Sequence, residues 1–203
     1  MTPPGSNKPV ARGSTQPVVK PTDAAPADPD IAGVNRRANE TPAEYAARAR
    51  RVQENFAEGK RLLEKQDFTA AIAQFRAVQS NQPGYQGVEA LVTQATDGRR
   101  AAVEQAISNG QQNEKAGELR AARLWYRKAL DYDASSASAR EKDNTLMNRM
   151  LPEANKIYAM ATAAEKLSNV EAARRQYQEV MDKMLIGDEI YDRARKAREA
   201  LNP

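Results

Sequence analysis

With 203 residues, 31 basic and 27 acidic side chains, and neither histidine nor cysteine, the chain excludes imidazole and thiolate chemistry at once: triads built on histidine, thiol nucleophiles, disulfides, iron–sulfur clusters and Cys/His zinc sites. The two charge signs nearly cancel and are interspersed, which describes a solvated surface rather than a nucleic-acid-binding one. Aromatic residues at only 5% and an abundance of Ala, Gln, Arg and Glu from Thr41 onward give an all-α chain by propensity.

Eight of the 11 prolines lie within the first 42 residues, and no aromatic residue precedes Tyr45. Such a segment buries too little apolar surface to offset the entropy of ordering it. Residues 1–40 are therefore expected to be a disordered Pro/Ala-rich arm, acting as a tether to another domain, as a docking peptide or as simple overhang. The start MTPPGSNKPV lacks the hydrophobic stretch of a secretory signal, and no apolar run nears the roughly 18 residues of a membrane span. The expected compartment is the cytoplasm, with the periplasm open if an upstream signal has been removed, and the Ala/Arg-rich composition with Pro-Ala linkers reads as bacterial.

Residues 41–203 open on Thr41-Pro42-Ala43-Glu44, which supplies a capping hydroxyl, proline at the first helical position and glutamate at the third. Apolar residues then recur at helical spacing almost to the C-terminus. Breaks at Gln66-Asp67, Gln82-Pro83-Gly84, Gly117, Asp131–Ser136, Ser168-Asn169 and Ile186-Gly187-Asp188 divide this body into about seven helices.

The short helices superpose on one another. Ala71, Ala122 and Ala173 are 51 residues apart, as are Phe75, Tyr126 and Tyr177, then Val78, Ala129 and Val180, and upstream Gly59, Gly110 and Ala161. A small residue, Ala twelve positions on, an aromatic four further and a small or apolar residue three beyond that resembles the tetratricopeptide signature. Gly59, Ala71, Phe75, Val78 and Pro83 match it in the first copy; Ala134 and Leu185 stand at the proline position of the later copies, Ala161 replaces the third glycine, and the early tryptophan and tyrosine of the signature are missing.

The resemblance implies a short α-solenoid of about three helical hairpins, over residues of about 52–84, 103–135 and 154–187, closed by a C-terminal helix at 188–202. The period exceeds the family's usual length of about 34 by roughly 17 residues. That surplus falls at about Tyr85–Gln105 and Ser136–Lys156, so the first helices of the second and third hairpins are expected to extend to about 30 residues, with Gly98 and Pro152 as kink points.

The resemblance also implies a peptide groove lined by the first helix of each hairpin. Its positions are Gln53, Phe56 and Lys60, then Glu104, Ile107 and Gln111, then Asn155, Tyr158 and Thr162. Phe56, Ile107 and Tyr158 share one register and either anchor a partner or pack between adjacent repeats. A clamp for a C-terminal carboxylate is not expected, because among Phe56, Lys60, Ser108, Asn155 and Ala159 only Lys60 is charged. Of the adjacent Trp125 and Tyr126, Trp125 is the better candidate for an exposed contact.

No phosphate-binding glycine loop occurs, and the Asp131/Asp133 and Asp28/Asp30 pairs lack the rest of a calcium loop. The expected function is a non-enzymatic scaffold or adaptor that binds a peptide or helix of a protein partner, without metal or cofactor. A second reading is self-assembly as a homo-oligomer through the extended helices, using Val88, Leu91 and Val92 or Met147 and Met150. A third, nucleic-acid binding through rows such as Arg120-Arg123-Arg127, is opposed by the interleaved acids.

Overall fold

The computed structural model describes residues 33–201, and every regular element among them is helical. The helices are α1 (Pro42–Glu64), α2 (Phe68–Asn81), α3 (Val88–Lys115), α4 (Leu119–Tyr132), α5 (Ala137–Lys166), α6 (Val170–Lys183) and α7 (Glu189–Ala200). Each packs against its neighbour in sequence, giving three hairpins (α1/α2, α3/α4, α5/α6) followed by α7, an all-α solenoid-like array.

Local chemistry sets the helix ends. Thr41 and Glu44 form the reciprocal capping box expected of them: the Glu44 amide donates to Thr41 Oγ1 at 3.3 Å and the Thr41 amide to Glu44 Oε2 at 2.8 Å. Asp67, Ser136 and Asn169 cap α2, α5 and α6. The turn inside every hairpin is the same object. Gln66, Gly117 and Ser168, 51 residues apart, are all left-handed (φ 61°, 81° and 56°). The next amide reaches back five residues in each case, Asp67 to Leu62, Glu118 to Asn113 and Asn169 to Ala164, all at 2.9 Å. This is the Schellman arrangement, which satisfies the last carbonyls of the first helix while reversing the chain.

Hairpin closure depends on one close approach. A Cβ built on Gly59 would lie 2.5 Å from the Phe75 ring, and one on Gly110 would lie 2.3 Å from the Tyr126 ring. In these two hairpins only a residue without a side chain leaves room for the ring, whereas the third closes with Ala161 at this position. Ala71, Phe75 and Val78, and their counterparts in α4 and α6, are at most 1% exposed.

The extended first helices are present, at 28 residues for α3 and 30 for α5. Both are continuous helices through Gly98 and Pro152. Gly98 also serves as a second close approach, where a Cβ would meet the Phe68 ring at 2.6 Å. Val88 is buried in the core of the first hairpin, with Leu91 and Val92 packed against it. Met147 and Met150 pack onto the core of the third. Of the residues named for self-assembly, Val88 is thus buried within the chain, and Leu91, Val92, Met147 and Met150 are half-buried.

The body begins earlier than residue 41. Val34 is 6% exposed, and the Tyr45 hydroxyl donates to its carbonyl at 3.0 Å. Arg48, 3% exposed, explains why this segment docks: its guanidinium donates to Glu40 Oε1 and Oε2 (2.7 Å each), the Asn35 carbonyl (2.7 Å), Gln82 Oε1 (3.0 Å) and the Asn81 carbonyl (3.2 Å). A buried guanidinium needs its donors met, and Asn35 and Glu40 meet three of those bonds. The rest of the expected arm, residues 1–32, lies outside the described residues.

Candidate functional site

The three sets of expected groove residues lie on α1, α3 and α5, and in each set the apolar member is fastened into the fold while most polar members are exposed. Phe56 is half-buried, its ring centroid 6.2 Å from Phe75 and 5.1 Å from Tyr85, with Lys60 Nζ 5.9 Å above it. Ile107 packs against the cluster around Ala122 and Tyr126. Tyr158 lies 5.3 Å from Tyr177. Gln53, Lys60, Glu104, Gln111 and Asn155 are exposed, whereas Thr162 is half-buried, donating to the Tyr158 carbonyl at 3.0 Å and standing 3.4 Å from the Tyr177 hydroxyl.

Around α5 the groove residues meet an element the family mapping did not include. α7 lies directly against α5 as well as α6, much as α3 touches α1, so it takes the place of a fourth first helix. Its Arg193 guanidinium sits 4.7 Å over the Tyr158 ring, a stacked cation–π contact. Between the two helices is a cleft of about 290 Å³, with Met147, Leu151, Met184 and Ile190 as apolar lining and Asn155, Asp188, Glu189 and Arg193 as polar lining. A larger depression of about 640 Å³ borders residues 37–51, but its central charges, Arg48 and Glu40, are paired with each other and serve the fold.

What holds α7 in place is a buried charge network built on the row Arg120-Arg123-Arg127, the row on which a nucleic-acid contact would have rested. Arg123 of α4 is completely buried. Its Nε donates to Asp143 Oδ1 of α5 at 2.7 Å, and its Nη1 and Nη2 donate to the two oxygens of Asp188, the α7 cap, at 2.6 and 2.9 Å. Asp188 Oδ2 also accepts the Leu185 amide at 2.8 Å. Burial pushes the Asp188 carboxyl up, but the Arg123 hydrogen bonds, the Leu185 amide and the Arg127 charge outweigh it and hold it below the usual range. Arg127 donates to the Ile186 carbonyl at 2.7 Å and Arg120 to that of Met184 at 3.2 Å. All three arginines of the row are thus engaged with α5 or with the turn between α6 and α7.

The 51-residue register records this only in part. The counterpart of Arg123 one copy earlier is Ile72, 5% exposed, while one copy later it is the half-buried Arg174.

No known family, curated protein or solved structure matches the chain. No helix among the described residues is long and apolar enough to cross a membrane.

Proposed function

We propose that the chain is a non-enzymatic interaction scaffold built from tetratricopeptide-like hairpins, which binds an extended or helical peptide of a protein partner along the face carried by α1, α3, α5 and α7. The observation that supports this reading is the cleft between α5 and α7, where Met147, Leu151 and Ile190 come together with Asn155 and Arg193. Methionine adapts its shape to an incoming apolar side chain, and the amide and guanidinium offer donors that orient a backbone carbonyl beside it, while the neighbouring Asp188 and Glu189 disfavour an anionic one. Phe56, Ile107 and Tyr158 contribute by stiffening the face rather than by anchoring the partner, because each is already engaged with its own neighbours.

The test uses exposed residues, so that binding is separated from folding. Affinity capture from native lysate by the wild type is compared with capture by Asn155→Arg and Arg193→Glu, with circular dichroism as the control for folding. A protein retained by the wild type and lost from both folded variants supports the reading. Unchanged capture by both variants overturns it.

A further inference from the structure

The outer face of α4 carries apolar residues that the repeat does not require. Leu124 and Trp125 are 48% and 38% exposed and border a surface depression of about 510 Å³. Beside them Arg127 holds the Ile186 carbonyl, whose side chain is 74% exposed. The other two copies serve as internal references: α2 has Ala73 and Gln74 at these positions, and α6 has Arg175 and Gln176. Two copies fold with small or polar residues there, so Leu124 and Trp125 have a use outside the hairpin.

Arg127, Lys128 and Asp131 also line this depression, and Arg120 stands one helical turn before Leu124. Arg120 lies in the first turn of α4 and Asp131 in the last, and the helix has no acid in its first turn or base in its last. Each charge is at the end of the helix dipole that disfavours it. In α6 the order is favourable, with Glu171 in the place of Arg120 and Lys183 in the last turn. Arg120 is partly explained by its bond to Met184, made through Nε alone. Asp131 forms no ion pair or hydrogen bond among the described residues. Eleven residues span about three helical turns, roughly 16 Å, so Arg120 and Asp131 fall on the same edge of the patch, one at each end. A helix running antiparallel with this same sequence would present Asp131 to Arg120 and Arg120 to Asp131.

We propose that α4 is a homodimerisation helix. Two copies pair antiparallel about a two-fold axis near Trp125 and Tyr126, with Trp125 against Trp125 along one edge, Leu124 toward the centre, and two Arg120–Asp131 pairs along the other edge. Leu124 and Trp125 supply the association, with the Lys128 stem lying between them, and the paired charges set direction and register. This interface lies on α4 and the proposed groove on α5 and α7; Arg120 touches both through the Met184 carbonyl, so Asp131→Arg is the variant that reads dimerisation apart from the cleft.

Sedimentation equilibrium of the full chain across the micromolar range tests it. The wild type is expected to approach twice the chain mass. Arg120→Glu and Asp131→Arg, which place like charges opposite each other at both ends, are each expected to weaken self-association by roughly tenfold or more. An equimolar mixture of the two variants should dimerise again, because the heterodimer restores opposite charges at both ends. A wild type that stays monomeric, or a mixture as weakly associated as its components while all remain helical, overturns the proposal. Trp125, the only tryptophan, gives a readout that needs no variant: its emission should shift to the red as the wild type is diluted, and an unchanged spectrum also counts against the dimer.

Discussion

At the level of single residues, the repeat makes substitutions against itself. The Tyr126 hydroxyl donates to Glu114 Oε2 at 2.8 Å, and 51 residues on the Tyr177 hydroxyl donates to Glu165 Oε2, also at 2.8 Å. In the first copy the corresponding pair is Phe75 and Leu63: where the hydroxyl is absent, so is the carboxylate. Burial, reinforced by Glu114, pushes the Tyr126 phenol well up, so it remains a donor. Tyr126→Phe should cost about 1.5–3 kcal/mol, the range for a hydrogen bond to a charged group. Adding Glu114→Leu should recover part of that loss by recreating the first copy's pair, and urea unfolding of the double-mutant cycle measures the coupling. Gly110→Ala, driven into the Tyr126 ring, should cost about 1–3 kcal/mol. Gln66→Gly and Ser168→Gly, which remove left-handed strain where the second copy already has Gly117, should each stabilise by about 0.5–1 kcal/mol in the same assay. The small-residue and aromatic positions were legible in the sequence because their types recur at a fixed step. Arg123 was not, because the same register pairs it with the apolar Ile72 in one copy and with Arg174 in the other.

At the level of elements, both ends of the array are closed by segments held through a buried arginine, Arg48 for residues 33–40 and Arg123 for α7. The hydrogen bonds from Arg48 hold the Glu40 carboxyl at about 2, against 4.5 when unperturbed. A folded value below the unfolded one means that the ionised form stabilises the fold. That contribution is complete above about pH 4.5 and is lost as the pH falls toward 2; Asp188, also depressed, adds a loss of the same sign. Hydrogen exchange between pH 6 and pH 3 should therefore loosen α7 and the first turns of α1 before the centre of α3. Asp188→Asn should remove much of the acid sensitivity of α7 and weaken its docking at neutral pH. The existence of α7 was legible from the break at Ile186-Gly187-Asp188. Its anchorage was not, because Asp143 and Asp188 are brought to Arg123 from 20 and 65 residues away, and no local pattern records such a meeting.

At the level of the whole molecule, the long first helices account for the extra residues of the period. Their additional turns pack back on the same chain, through Leu91 and Val92 onto the first hairpin and through Met147 and Met150 onto the third. Periodicity could reveal those apolar faces but could not say whether a neighbour in the same chain or another copy would cover them. The seven-helix order was readable from caps and breaks. The outer face of α4 was visible only through the exposure of Trp125. Because Arg123 joins α4 to the turn preceding α7, across the intervening hairpin, the second and third hairpins should unfold together. Equilibrium denaturation followed by circular dichroism and by Trp125 emission should give coincident transitions, and Arg123→Met should separate them while costing about 3–5 kcal/mol, the loss typical of a broken buried ion pair.

That connection also bears on ancestry. Tandem arrays commonly grow and shrink by whole units, since a unit that touches only its neighbours can be duplicated or excised without disturbing the others. Here, excision of residues 103–153 would remove Arg123, Arg127 and Asp143 together and leave Asp188 buried without its cations. The number of copies in this chain is therefore fixed by a contact that skips one of them, and shorter relatives should carry an uncharged residue where Asp188 stands.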